Sequence, residues 1–70
     1  MIVKITRAYV RHYSDNGQTT AYVEWIDARG KNGRTEGPMP VGAHMGALFA
    51  RAMRDGVTIE HETRQDEHTR

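Results

Sequence analysis

Residues 2–28 read IVKITRAYVRHYSDNGQTTAYVEWIDA, and the reading of this stretch decides the fold. Residues 2–13 alternate and are rich in β-branched and aromatic types (Ile2, Val3, Ile5, Thr6, Tyr9, Val10, Tyr13), which predicts a strand. Asp15-Asn16-Gly17 supplies a turn. With Asn16 and Gly17 at the positive-φ positions of a type I′ turn, Asp15 pairs with Gln18 and the register of the whole hairpin follows. That register sets Tyr13 opposite Thr20, Arg11 opposite Tyr22, Tyr9 opposite Glu24 and Arg7 opposite Ile26 on one face. On the other it sets His12 opposite Ala21, Val10 opposite Val23 and Ala8 opposite Trp25. The second strand then runs from about residue 19 to residue 29.

Working outward, Gly30-Lys31-Asn32-Gly33 reads as a second turn leading into a short third strand near residues 34–37, with Glu36 placed to pair across with Arg29. Gly37-Pro38-Met39-Pro40 ends it, because neither proline can donate to a ladder. From about residue 41 to residue 55, Val41, Met45, Leu48, Phe49 and Ala52 recur at helical spacing, while His44, Arg51, Arg54 and Asp55 fall largely off that stripe. Pro40 suits the first helical position, and Gly56 suits a left-handed C-terminal cap with Arg51 and Arg54 in the last turn. Residues 57–63 alternate again and predict a fourth strand. The expected architecture is α+β, in the order β-β-β-α-β: a three- or four-stranded, mostly antiparallel sheet with one amphipathic helix on one face. Residues 1–63 form a single domain, and residues 64–70, without an apolar side chain, form a disordered polar tail.

Seventy residues without cysteine bound the function classes. A chain this short buries only about 60% of the surface its unfolded form exposes, so oligomerisation or partner binding would relieve marginal stability. Neither a disulfide framework, nor a thiolate metal site, nor a cysteine nucleophile is available. The amino-terminal residues are too few and too soon charged for a signal peptide, and no run approaches a membrane span, so a soluble cytoplasmic protein is expected. The net charge of +1 divides unevenly: the chain through Ile59 is mildly basic and the remainder is acidic. That balance falls well short of the basic patch that argues for DNA by itself.

Chemical motifs are few. Glu60, His61 and Glu62 cannot chelate one ion together from a strand, since His61 points opposite to its neighbours. His44 lacks a helical histidine partner, and no H-x-x-x-H, H-x-x-E or C-x-x-C spacing occurs, so no metal and no cofactor is expected. Ser14 lies in a turn rather than a nucleophile elbow, and Gly30, Gly33, Gly37 and Gly42 do not form a phosphate loop. Gly42 and Gly46, with neighbouring alanines, suit close approach of helix to sheet. No catalytic residue and no small-molecule substrate is expected.

The face with Ala8, Val10, Ala21, Val23 and Trp25 is assigned to the helix, with Met45, Leu48, Phe49 and Ala52 packed on it. The opposite face carries Val3, Ile5, Arg7, Tyr9, Arg11, Tyr13, Tyr22, Glu24 and Ile26, and three uses of it are open. The tyrosines can stack across strands with Arg7 and Arg11 bridging to Glu24. They can also form a protein interface, with a homodimer or another partner, because Tyr and Arg are enriched at interface hot spots. Alternatively, they can stack nucleic-acid bases, with arginines on phosphates.

Three antiparallel strands followed by a helix over residues 5–56 resemble the three-strand-plus-helix DNA-binding domains of the integrase arm-binding type, in order of elements and without a shared residue motif. The resemblance implies that Arg7, Tyr9, Arg11, Tyr22 and Glu24 face a groove and that Arg29, Lys31 and Arg34 touch phosphates. The reading the residues favour is a non-catalytic protein-binding module that uses Arg7, Tyr9, Arg11, Tyr13, Tyr22, Glu24 and Ile26. Its class suggests a regulatory or inhibitory accessory protein of the phage or mobile-element type, such as an inhibitor of a host defence system. It also requires Tyr9, Arg11, Tyr22 and Ile26 to be appreciably exposed in a monomer or buried between chains.

Overall fold

A computed structural model describes residues 1–14 and 17–64. The elements are β1 (Ile2–Tyr13), β2 (Thr19–Asp27), β3 (Asn32–Pro38), α1 (Ala43–Arg54) and β4 (Ile59–Arg64). They build one sheet in the spatial order β3-β2-β1-β4, antiparallel at β1–β2 and β2–β3 and parallel at β1–β4. The α+β class and the β-β-β-α-β order are those the sequence predicts. The parallel edge follows from the connectivity. The meander leaves β3 running in the direction of β1, α1 returns the chain across one face, and β4 emerges along β1. This fourth strand is absent from the three-strand-plus-helix pattern that the order of elements resembles.

The hairpin register differs by two residues from that expected. Tyr13 N–H donates to Gln18 O at 2.8 Å and Gly17 N–H donates to Tyr13 O at 2.9 Å, with Gly17 at φ +72°. Tyr13 therefore faces Gln18 in place of Asp15, because the loop is longer than a two-residue turn. Asp15 and Asn16 lie outside the described residues. Tyr9 consequently faces Tyr22, Arg7 faces Glu24, Arg11 faces Thr20, Val10 faces Ala21 and Ala8 faces Val23. A slip of two preserves every side chain's face, so the division into two faces survives the change of partners.

A bulge then changes the faces at the start of β1. Ile5 pairs with Trp25 and Arg7 with Glu24, leaving Thr6 as an extra residue whose hydroxyl donates to Glu24 O at 3.2 Å. Two residues opposite one invert the alternation. Ile5, expected among the tyrosines, turns under the helix and is only 1% exposed, while Val3 is 55% exposed.

Ile5, Ala8, Ala21, Val23, Met45, Leu48 and Ala52 form the buried core, with Ile2, Trp25, Val41, Phe49, Val57 and Ile59 against it. Trp25 is half-buried: its ring lies over Gly33 of β3, with Cζ3 2.7 Å from where a Cβ would stand, and its Nε1–H donates to Thr35 Oγ1 at 3.0 Å. Asp27 closes the β2–β3 turn by accepting the N–H groups of Arg29 and Lys31 on Oδ1, both at 2.9 Å. That carboxylate moves the turn ahead of Gly33, so β3 begins at Asn32 and Glu36 lies opposite Tyr22, not Arg29.

The helix starts at Ala43 with Gly42 as its extended N-cap, later than Pro40 implies, since Val41 is drawn into the core. Its end is a Schellman motif. Val57 N–H donates to Ala52 O at 2.8 Å and Gly56 N–H to Met53 O at 3.1 Å, with Gly56 at φ +83° as expected. β4 includes Arg64, so the polar tail begins no earlier than residue 65; residues 65–70 lie outside the described residues.

Candidate interaction face

The sheet surface away from α1 is assembled from alternate residues of all four strands. Tyr9 and Tyr22 occupy its centre, opposite each other on β1 and β2, with ring centroids 4.8 Å apart and planes 13° from parallel. Around them the register places Arg7, Arg11 and Tyr13 from β1, Glu24 and Ile26 from β2, Arg34 and Glu36 from β3, and Glu60, Glu62 and Arg64 from β4.

The arginines roof the tyrosines. The Arg7 guanidinium stands 4.1 Å from the Tyr9 ring centroid, while Arg11 and Arg34 stand 5.0 and 5.1 Å from that of Tyr22. Such positions let the cation meet the negative ring face while its stem covers apolar surface. Tyr9 is therefore 1% exposed and Tyr22 6%, against the exposure expected of them. Their burial is achieved within one chain by folding the arginines flat. Arg11 and Ile26 are half-buried.

Carboxylates hold those guanidinium groups in place. Arg7 reaches Glu60 at 3.2 Å, Glu62 at 3.6 Å and Glu24 at 3.8 Å. Arg11 Nε–H donates to Glu62 Oε1 at 3.1 Å, Arg64 lies 3.8 Å from Glu62, and Arg34 lies 3.7 Å from Glu36. The Tyr9 hydroxyl donates to Glu24 at 3.3 Å, and the hydroxyls of Tyr13 and Tyr22 share a hydrogen bond of 3.2 Å. Glu60 holds the Arg7 pKa above its ordinary value, and the Tyr13 hydroxyl followed by Glu62 does so for Arg11. For Arg34 the chief cause is the Tyr9 hydroxyl. The hydrogen bond to Tyr22 and then Arg11 lower the pKa of Tyr13, while the bond to Tyr13 and burial raise that of Tyr22.

The sequence-derived residues Arg7, Tyr9, Arg11, Tyr13, Tyr22 and Glu24 thus converge. Ile26 lies on the same face beyond them, opposite Lys4 and Asn32. Of the residues assigned to phosphate contacts, Arg34 joins the tyrosine stack instead, whereas Arg29 and Lys31 stay in the exposed β2–β3 turn. Glu60, Glu62 and Arg64 were missing from the sequence-derived set. Alternation put Glu60 and Glu62 on one side of their strand, but it carried no signal that β4 docks beside β1.

Around the tyrosine pair charge is matched, with Arg7, Arg11, Arg34 and Arg64 among Glu24, Glu36, Glu60 and Glu62, while Lys4 stands at the margin opposite Ile26. Elsewhere, a shallow depression of about 670 Å³ is lined by residues 17–20 and 38–40, none of which, among the described residues, is titratable. Among the described residues, no three His, Asp or Glu converge in a metal-binding group, and no helix is long and apolar enough to cross a membrane. No protein-family model matches the chain, and neither the curated proteins nor the solved structures compared with it contain a match.

Proposed function

We propose that this protein is a non-catalytic protein-binding module whose contact surface is the arginine-glutamate array over Tyr9 and Tyr22. The observation that carries the reading is a sheet face, uncovered among the described residues, on which charges of both signs are held in position before any partner arrives. Guanidinium groups fixed by carboxylates and rings lose little freedom on binding, and a charge-balanced pattern selects a partner by arrangement rather than by net charge. The same geometry disfavours the nucleic-acid alternative. The ring faces of Tyr9 and Tyr22 are occupied by each other and by arginine, and Glu60, Glu62 and Glu24 stand where phosphates would approach. An inhibitory role in a phage or mobile element suits a small domain that acts by covering another protein's surface.

The test is capture by the immobilised full chain from host extract, repeated with a variant carrying Arg7→Ala, Arg34→Ala and Glu60→Ala and with Met53→Ser on the exposed side of α1. A protein retained by the native chain and by Met53→Ser, but lost with the triple variant, is the expected result. Retention by the triple variant overturns the assignment of the face. Retardation of DNA or RNA at about 50 mM salt, with affinity falling by about one logarithmic unit per decade of salt for each phosphate met, replaces it with the nucleic-acid reading. A sedimentation mass of twice the chain identifies a second copy as the partner.

A further inference from the structure

The face that carries α1 has a feature that neither the core nor the proposed interface uses. His12 of β1 and His61 of β4 meet beyond Val10, which pairs with His61 in the parallel ladder. His12 Nε2 and His61 Nδ1 are 3.4 Å apart and the ring planes lie within 15° of parallel. Both rings are anchored on adjacent strands of the sheet, and the pair is open to solvent.

We propose that His12 and His61 form a two-imidazole site for a divalent transition-metal ion of the zinc type. Two nitrogen bonds of about 2.0–2.1 Å at the tetrahedral angle place the nitrogens about 3.3–3.4 Å apart, the separation this pair already has. A square-planar ion would need about 2.9 Å, so the spacing favours tetrahedral coordination. The rings meet edge to edge with centroids 5.6 Å apart, so the two nitrogens face each other along one line, and a swing of exposed His61 and half-buried His12 off that line brings both lone pairs onto one ion.

Thr19 supplies an independent observation. Its Oγ1 lies 3.4 Å from Nδ1 of His12, the ring nitrogen that faces away from His61. A ligating imidazole uses one nitrogen for the metal and donates from the other, and that donation fixes the tautomer and the ring's orientation. With Nδ1–H donating to Thr19, the Nε2 lone pair of His12 is left for the ion. Thr19 is accordingly a positioning residue. Water, or a side chain from a bound partner, completes the coordination of the metal.

Zn²⁺ titration of the full chain, followed by calorimetry and by the imidazole nitrogen resonances, tests the site. The expected result is saturable binding that shifts Nε2 of His12 and Nδ1 of His61. Affinity should fall by about a hundredfold in His61→Ala and in His12→Gln, which keeps a polar side chain in the half-buried position, and by about tenfold in Thr19→Val. His44→Ala should leave it unchanged, as should Mg²⁺ competition. Circular dichroism verifies that each variant is folded. Absence of saturable Zn²⁺ binding, or binding reduced by His44→Ala or His68→Ala but not by the paired variants, overturns the proposal.

Discussion

Tyr9 and Tyr22 face each other across β1 and β2 and are both buried, although among the described residues no second layer of backbone lies above them. Their cover is Arg7, Arg11 and Arg34, and the carboxylates of Glu24, Glu36, Glu60 and Glu62 hold that cover down. A sheet with one helix thereby obtains a second core made of aromatic rings and guanidinium planes. The tyrosines are consequently structural, and the charged groups around them are what a partner meets.

This makes Tyr9 a stability residue. Tyr9→Ala is expected to destabilise the protein by about 3–5 kcal/mol, the range for removing a buried large aromatic, which is enough to unfold much of so small a domain. Tyr9→Phe keeps the stack and loses the bond to Glu24, at about 0.5–1.5 kcal/mol. Urea unfolding monitored by Trp25 fluorescence measures both. A Tyr9→Ala protein as stable as the native one would contradict the burial seen here.

The bulge at Thr6 leads to a prediction about deletions. Ile5 and Arg7 already point to opposite faces, so removing Thr6 joins them in regular alternation and leaves every other β1 side chain on its present face. Deleting Thr6 should therefore cost only about 1 kcal/mol, chiefly for its bond to Glu24 O. Deleting Ala8, which would turn Ile5 out of the core, should abolish cooperative unfolding in the same urea experiment.

Gly33 and Gly37 occupy the same edge strand but differ in what they face. A Cβ on Gly33 would collide with the Trp25 ring, whereas one on Gly37 would meet only Met45 Cε at 3.8 Å. Gly33→Ala should destabilise by about 1–3 kcal/mol through overpacking and shift the Trp25 emission as the ring moves. Gly37→Ala should lie within about 0.5 kcal/mol of the native protein, with its emission unchanged.

Alkaline titration should separate Tyr13 from Tyr22. The shared hydroxyl bond and Arg11 favour the Tyr13 phenolate, so Tyr13 ionises below the ordinary tyrosine range; Tyr22, holding its proton toward Tyr13, ionises above it. Phenolate absorbance should rise in separate steps in the native protein. In Tyr22→Phe the early step should move upward, since the largest cause of the Tyr13 shift is gone. An unchanged early step would show that Arg11 or Arg64, not Tyr22, sets it.

Periodicity alone determined the elements, the sorting of Tyr9, Tyr13 and Tyr22 from Ala8, Val10 and Val23, and the Gly56 cap, because alternation and helical spacing are local properties of the chain. The slip from Asp15 to Tyr13 opposite Gln18 did not disturb that sorting, since two residues restore the same face. Other decisions depended on residues far apart in the chain. The bulge that buries Ile5 and the parallel docking of β4 on β1 depend on which backbone edges and apolar surfaces meet. Only that docking brings Glu60 and Glu62 to Arg7 and Arg11, and His61 to His12. Pairing between strands is settled by the burial and hydrogen bonding of the whole sheet, to which the pattern within any one strand is blind.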